Sequence, residues 1–136
     1  MKRDELKRAN HAVYQVNYHF VWIPARRKKV LICDVAKRLR ELCEEVALEQ
    51  EWTILNLAIQ PDHVHLFVEA TPKEAPNEIV RAFKGRSSRI LRQEFPHLLR
   101  LPSLWTHSYF CGTAGNVSAA VIEQYIREQV SPSEKT

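Results

Sequence analysis

The chain has 136 residues, a formal net charge of +4 and an isoelectric point of about 9.1, which suits one domain, 1–136, with a leaning toward a polyanionic partner. With 45% hydrophobic and 26% charged residues it is neither disordered nor fibrous, and three cysteines without a CxxC pair exclude a disulfide framework. No apolar run reaches membrane-span length and no signal-peptide pattern follows the basic N-terminus, so a cytoplasmic protein with no membrane partner is expected.

Residues 1–10 are polar and favour no element. In 13–23, Tyr14, Val16, Tyr18, Phe20 and Trp22 alternate with Gln15, Asn17, His19 and Val21, the period-two signature of a strand. Pro24 ends it, and Arg26, Arg27, Lys28 and Lys29 follow as a basic loop. Asp34 is expected to cap a helix over 34–50 whose stripe is Val35, Leu39, Leu42 and Val46. A strand over 52–60, with Leu55, Leu57 and Ile59 on one face, turns at Pro61-Asp62 into a strand over 63–69.

Pro76 suits the first turn of a helix reaching about residue 95. Ile79, Phe83, Ile90 and Leu91 form its apolar stripe, and Arg81, Lys84, Arg86, Arg89 and Arg92 crowd its other side. A strand over 105–113 and a helix over 117–130 complete the chain. The order is that of an α+β, ferredoxin-like or RRM-like β-α-β-β-α-β domain. It predicts a four-stranded antiparallel sheet, helices on its aromatic face, and an added C-terminal helix. The opposite face carries Gln15, Asn17, His19, Asn56, Gln60, His63 and His65, too polar for a second core and therefore the expected working surface.

The chemistry is expected at His63-Val64-His65. Two residues apart on a strand, both imidazoles leave one face about 7 Å apart, within reach of one metal ion. Gln129 adds a neutral oxygen donor, and Tyr125, four residues earlier on the same helix, shares its face. Two histidines and a glutamine oxygen suit Mg2+ or Mn2+ holding a phosphodiester, although imidazoles also suit zinc. A phenol beside such an ion has the makings of a nucleophile. Against this stand plainer readings: two half-exposed histidines on a strand, and a tyrosine packed at a helix edge. Lys84, Arg86 and Arg89, with Arg26 to Lys29, are candidate phosphate contacts, Gly85 offering a close backbone approach. Trp105 and Tyr109 read as core residues before base-stacking ones, and Asp62 reads as a turn cap.

Taken together, the motifs resemble a known family. His63-Val64-His65 fits the His-hydrophobic-His motif of the HUH endonucleases. The stretches 17–22, 59–66 and 83–89, Leu104-Trp105, and Tyr125 with Gln129 are similar, in matching order, to the small single-tyrosine transposases of compact bacterial and archaeal insertion sequences. The likeness spans about Tyr14 to Gln129. It implies that Tyr125 attacks single-stranded DNA, keeps the 5′ phosphate as a phosphotyrosine and releases a 3′ hydroxyl. It also implies that His63, His65 and Gln129 hold the divalent ion. It further implies homodimers that build each site from two chains, and DNA hairpins at the element ends as the recognised substrate. Two other readings stay open. One is a non-catalytic or domesticated single-stranded nucleic-acid binding module, although RRM domains place aromatics on the open sheet face, which these do not. The other is a zinc hydrolase recruiting His19.

Overall fold

The computed structural model describes residues 15–113 and 126–127. Strands β1 (Val16–Trp22), β2 (Thr53–Gln60), β3 (His63–Ala70) and β4 (Phe110–Thr113) form one sheet in the order β2-β3-β1-β4, with every neighbouring pair antiparallel. Helices α1 (Cys33–Gln50) and α2 (Pro76–Glu94) fill the two crossovers. This is the expected α+β, ferredoxin-like arrangement. Among the described residues no helix is long and apolar enough to cross a membrane.

The alternating strands and the helical stripes meet in one core. Phe20 and Trp22 of β1, Leu57 of β2 and Val64, Leu66 and Val68 of β3 point at Val35, Leu39, Leu42 and Val46 of α1 and at Ile79, Phe83 and Leu91 of α2. Burying such side chains contributes about 1.5–3 kcal/mol each, which fixes which sheet face the helices cover. Pro76 starts α2 as expected, and the Glu78 carboxylate accepts the N–H of Ala75 at 3.0 Å. Ser87 lies within the apolar stripe because its hydroxyl is satisfied twice. It donates to the Phe83 carbonyl at 2.7 Å and accepts the Trp105 indole N–H at 3.0 Å.

Several expectations are corrected. Helix α1 is preceded by Ile32, which makes no side-chain cap; Asp34 sits in the first turn, where its charge meets the positive end of the helix dipole. Strand β2 carries a bulge between Ile54 and Asn56, which drops Leu55 out of the alternation. Ile54 therefore opposes Val68 on the core side, while Leu55 is 51% exposed. Strand β4 is shorter than expected. Trp105 belongs to an isolated antiparallel bridge with Pro24, flanked by the Ala25–Leu104 and Thr106–Ile23 backbone bonds, and its indole is edge-on to Trp22 with centroids 6.0 Å apart. The segment before Phe110 therefore pairs at one point only and is otherwise shaped by core packing.

The face away from the helices is also less open than its polarity suggests. Val21 and Ile23 are fully buried there with Ile126, and Phe110 packs against them. Ile126 and Arg127 are helical and Ile126 lies against the histidine face; the rest of the helix expected over 117–130 falls outside the described residues.

Candidate active site

The register of the central strands assembles the site. Val21 pairs with His65, His19 with Phe67, Gln60 with His63 and Ala58 with His65. Directly opposed residues share a face, so His19, His63, His65 and Phe67 lie together on the side away from α1 and α2. The His63 and His65 rings are 4.8 Å apart between centroids and inclined at 73°.

Each ring has its Nδ1 engaged. His63 Nδ1 is 2.8 Å from Asp62 Oδ1, and Asp62 Oδ2 accepts Arg27 Nε at 2.7 Å. His65 Nδ1 is 3.3 Å from His19 Nε2, while the His19 ring stacks on Phe67 with centroids 4.1 Å apart. Nε2 is then the nitrogen that both strand histidines have to offer. Asp62 is thus more than a turn cap, since both its oxygens face side chains. Among the described residues no set of three His, Cys, Asp or Glu is arranged to hold a metal. His19 faces His65 instead of a common ion, which removes the geometric support for a zinc site built on three histidines.

The electrostatics favour neutral rings beside an ionised carboxylate. Burial, reinforced by His63 and His19, pushes His65 down to about 4, so its ring is neutral at physiological pH. Burial also lowers His19. Burial works to raise Asp62, but hydrogen bonds from His63 and Arg27 outweigh it and hold the carboxyl below its ordinary range. A neutral imidazole is the ligating form, and a carboxylate behind it strengthens the ligand.

The basic loop packs beside this site. The Leu31 N–H donates to the Pro61 carbonyl at 3.0 Å, tying the loop to the turn before His63. Arg26 and Arg27 both have left-handed backbones, with φ of 58° and 54°, conformations that non-glycine residues adopt at a cost. Arg27 is held by Asp62, whereas Arg26, Lys28 and Lys29 are exposed.

The α2 cations lie on the helix side of the sheet, away from the histidines. Lys84 Nζ donates to the carbonyls of Thr106 and Ser108 at 2.7 and 3.2 Å, and burial lowers its ammonium to about 8. Arg86 grips Glu49 through two bonds of 3.1 and 2.6 Å. Only Arg89 of the three is exposed. A Cβ at Gly85 would meet nothing within 4 Å, so no intramolecular packing demands a glycine there. Trp105 is buried in the core as expected, and Tyr109 packs against that core beneath Lys84. Tyr125 and Gln129 lie outside the described residues; their neighbour Ile126 is packed on Val21 and Ile23 of the histidine face. The support behind the rings, Asp62 with Arg27 and His19, escaped the sequence reading. Its one visible signal was an aspartate immediately before the first histidine.

Comparison with known proteins agrees with this fold. The family model described as "Transposase IS200 like" matches residues 12–129. The ISDra2 transposase TnpA of Deinococcus radiodurans is 34% identical over 128 residues, 92% of this chain and 91% of that protein. The transposase for insertion sequence element IS200 of Salmonella typhimurium is 29% identical over 127 residues, 88% of this chain and 80% of that protein. A crystal structure of a candidate transposase from Deinococcus radiodurans superposes with a TM-score of 0.81 at 35% identity, covering 88% of this chain and 94% of that one. A tyrosine transposase solved bound to a REP hairpin shares the fold, with a TM-score of 0.53 at 15% identity over 82% of this chain and 62% of that one. With the family model matched from one end of the fold to the other and the histidine pair set on its sheet, the chain belongs to the IS200-like transposase family.

Proposed function

We propose that this transposase nicks and rejoins single-stranded DNA at insertion-sequence ends, with Tyr125 as nucleophile and His63, His65 and Gln129 as ligands of Mg2+ or Mn2+. The observation that carries the reading is the pair of strand histidines with both Nδ1 atoms engaged and one ring held neutral, on a face against which the residue next to Tyr125 is packed.

The Tyr125 oxygen forms a bond to the scissile phosphorus as the bond from phosphorus to the 3′ oxygen breaks. The phenol gives up its proton and the leaving oxygen takes one up as a 3′ hydroxyl. The 5′ phosphate stays on the tyrosine, so a later 3′ hydroxyl attacks that linkage and restores a phosphodiester without ATP. A divalent ion, when bound, supplies Lewis-acid polarisation of the phosphate. Arg26, Lys28 and Lys29 lie on the loop that packs against the turn before His63, where an incoming strand meets them.

The preferred substrate is single-stranded DNA carrying end hairpins, and the working form is a homodimer whose sites combine the histidines of one subunit with the tyrosine helix of the other. The solved relative bound to a hairpin favours this over recognition of plain duplex. The test is to incubate the protein with labelled single-stranded ends and Mn2+ and to look for a covalent protein–DNA adduct. The adduct should form with the wild type and disappear with Tyr125→Phe, His63→Ala or excess EDTA. Hairpin binding without any adduct, in a metal-loaded wild type, would leave a non-catalytic binding protein as the correct reading.

A further inference from the structure

The groups behind His63 carry an inference of their own. The side chains of Asp62 and His63 are 13% and 18% exposed, so their 2.8 Å contact is largely shielded from water. An ionised carboxylate only accepts hydrogen bonds, so this contact requires a proton on His63 Nδ1, which in the neutral ring leaves the lone pair on Nε2. The second oxygen of Asp62 is taken by Arg27 Nε at 2.7 Å, which fixes the carboxylate from behind. Arg27 reaches it from a loop whose two consecutive left-handed residues are unfavourable by themselves. Such a backbone persists where contacts hold it, and the bond to Asp62 and the Leu31–Pro61 bond are two such contacts.

We propose that Asp62, anchored by Arg27, is a positioning residue that sets the tautomer and ring orientation of His63 so that Nε2 faces the cation. The inference rests on the metal-assisted reading above and adds residues outside the liganding set. It also gives Arg27 a role distinct from its neighbours Arg26, Lys28 and Lys29, which remain exposed. A carboxylate behind a ligating imidazole fixes the tautomer and raises ligand basicity, and its removal typically weakens metal affinity about 10–100-fold.

The experiment uses the full chain, labelled with 15N-histidine, as wild type, Asp62→Ala, Asp62→Asn and Arg27→Gln. The nitrogen spectrum of the metal-free protein reports which His63 nitrogen carries the proton, and titration followed by electron paramagnetic resonance gives Mn2+ affinity. The expected result is a proton on Nδ1 in the wild type, loss of that state in Asp62→Ala, and Mn2+ affinity lower by about 10–100-fold. Arg27→Gln should move both readouts the same way by less. Circular dichroism verifies folding; if Asp62→Ala fails to fold, the near-isosteric Asp62→Asn decides. A wild-type His63 protonated on Nε2, or unchanged Mn2+ affinity in the folded Asp62 variants, overturns the proposal. If His63→Ala binds Mn2+ as tightly as the wild type, the metal reading falls instead, and the nitrogen spectrum by itself still decides whether Asp62 sets the tautomer.

Discussion

At the scale of single residues, burial keeps two of the clustered histidines from taking up protons. His65 is pushed to about 4 and His19 is lowered, both mainly by burial. In the unfolded chain both return to about 6.5. Below that pH the unfolded chain binds protons that the folded chain refuses, so acid favours unfolding. The stability these rings allow is therefore fully present above about pH 6.5 and declines as pH falls toward about 4. Urea unfolding of the metal-free protein at pH 7.5 and pH 5 should show this loss, and His65→Gln, which keeps a polar group but cannot titrate, should flatten it. An equally steep decline in the variant would mean that other groups dominate the acid response.

At the scale of elements, the bulge in β2 separates two leucines that a simple alternation treats alike. Leu57 is 6% exposed in the core and Leu55 is 51% exposed. Leu57→Ala should destabilise by about 2–5 kcal/mol, through lost burial and the cavity left behind. Leu55→Ala should stay within about 0.5 kcal/mol. Denaturant melts of the two variants measure both, and equal losses would place the bulge elsewhere in the strand.

Two sets of cations divide in the same way. Lys84 holds the segment at Thr106 and Ser108 onto α2, so Lys84→Met should cost about 1–3 kcal/mol of stability by leaving those carbonyls without their donor. Its DNA affinity should keep the wild-type salt dependence. Replacing Arg26, Lys28 or Lys29 with Gln should leave stability nearly unchanged, and each phosphate contact removed should lower the log-log salt slope by about one unit. Fluorescence anisotropy with a hairpin oligonucleotide across a salt series separates the outcomes. A lowered slope for Lys84→Met with unchanged slopes for the loop variants would move the interface to α2.

At the scale of the whole molecule, Ile126 packs on the histidine face of its own chain, whereas the proposed dimer takes the tyrosine helix from the partner. Complementation separates the arrangements. Tyr125→Phe and His63→Ala proteins, each inactive alone, are mixed under conditions of verified subunit exchange. A site shared between chains restores one complete set of residues per mixed dimer and should recover adduct formation. Background cleavage in exchanged dimers would assign the tyrosine helix to its own subunit.

The element order as far as β4, the sheet face covered by helices and the shared face of His63 and His65 were legible in the chain because each rests on local period. Alternation in 16–22 and 63–70 and the stripe from Val35 to Val46 record which side meets water, and the structure keeps them. What surrounds the histidines had no such period. The Asp62–Arg27 bond spans 35 positions and the His19–His65 contact spans 46. The bonds of Lys84 to Thr106 and Ser108 likewise join an exposed-looking helical lysine to a distant loop. Charge pattern alone reads Arg27, Lys84 and Arg86 as free cations, because a sequence shows how many donors a chain has and not which acceptors the fold brings to them. The placement of Leu55 and the retreat of Trp105 from β4 have the same origin. The sequence by itself determined the layers and the chemical character of one face; tertiary packing decided which polar groups on and around it were already engaged, since the nearest partner of a charged side chain is set by strand register and loop path, not by distance along the chain.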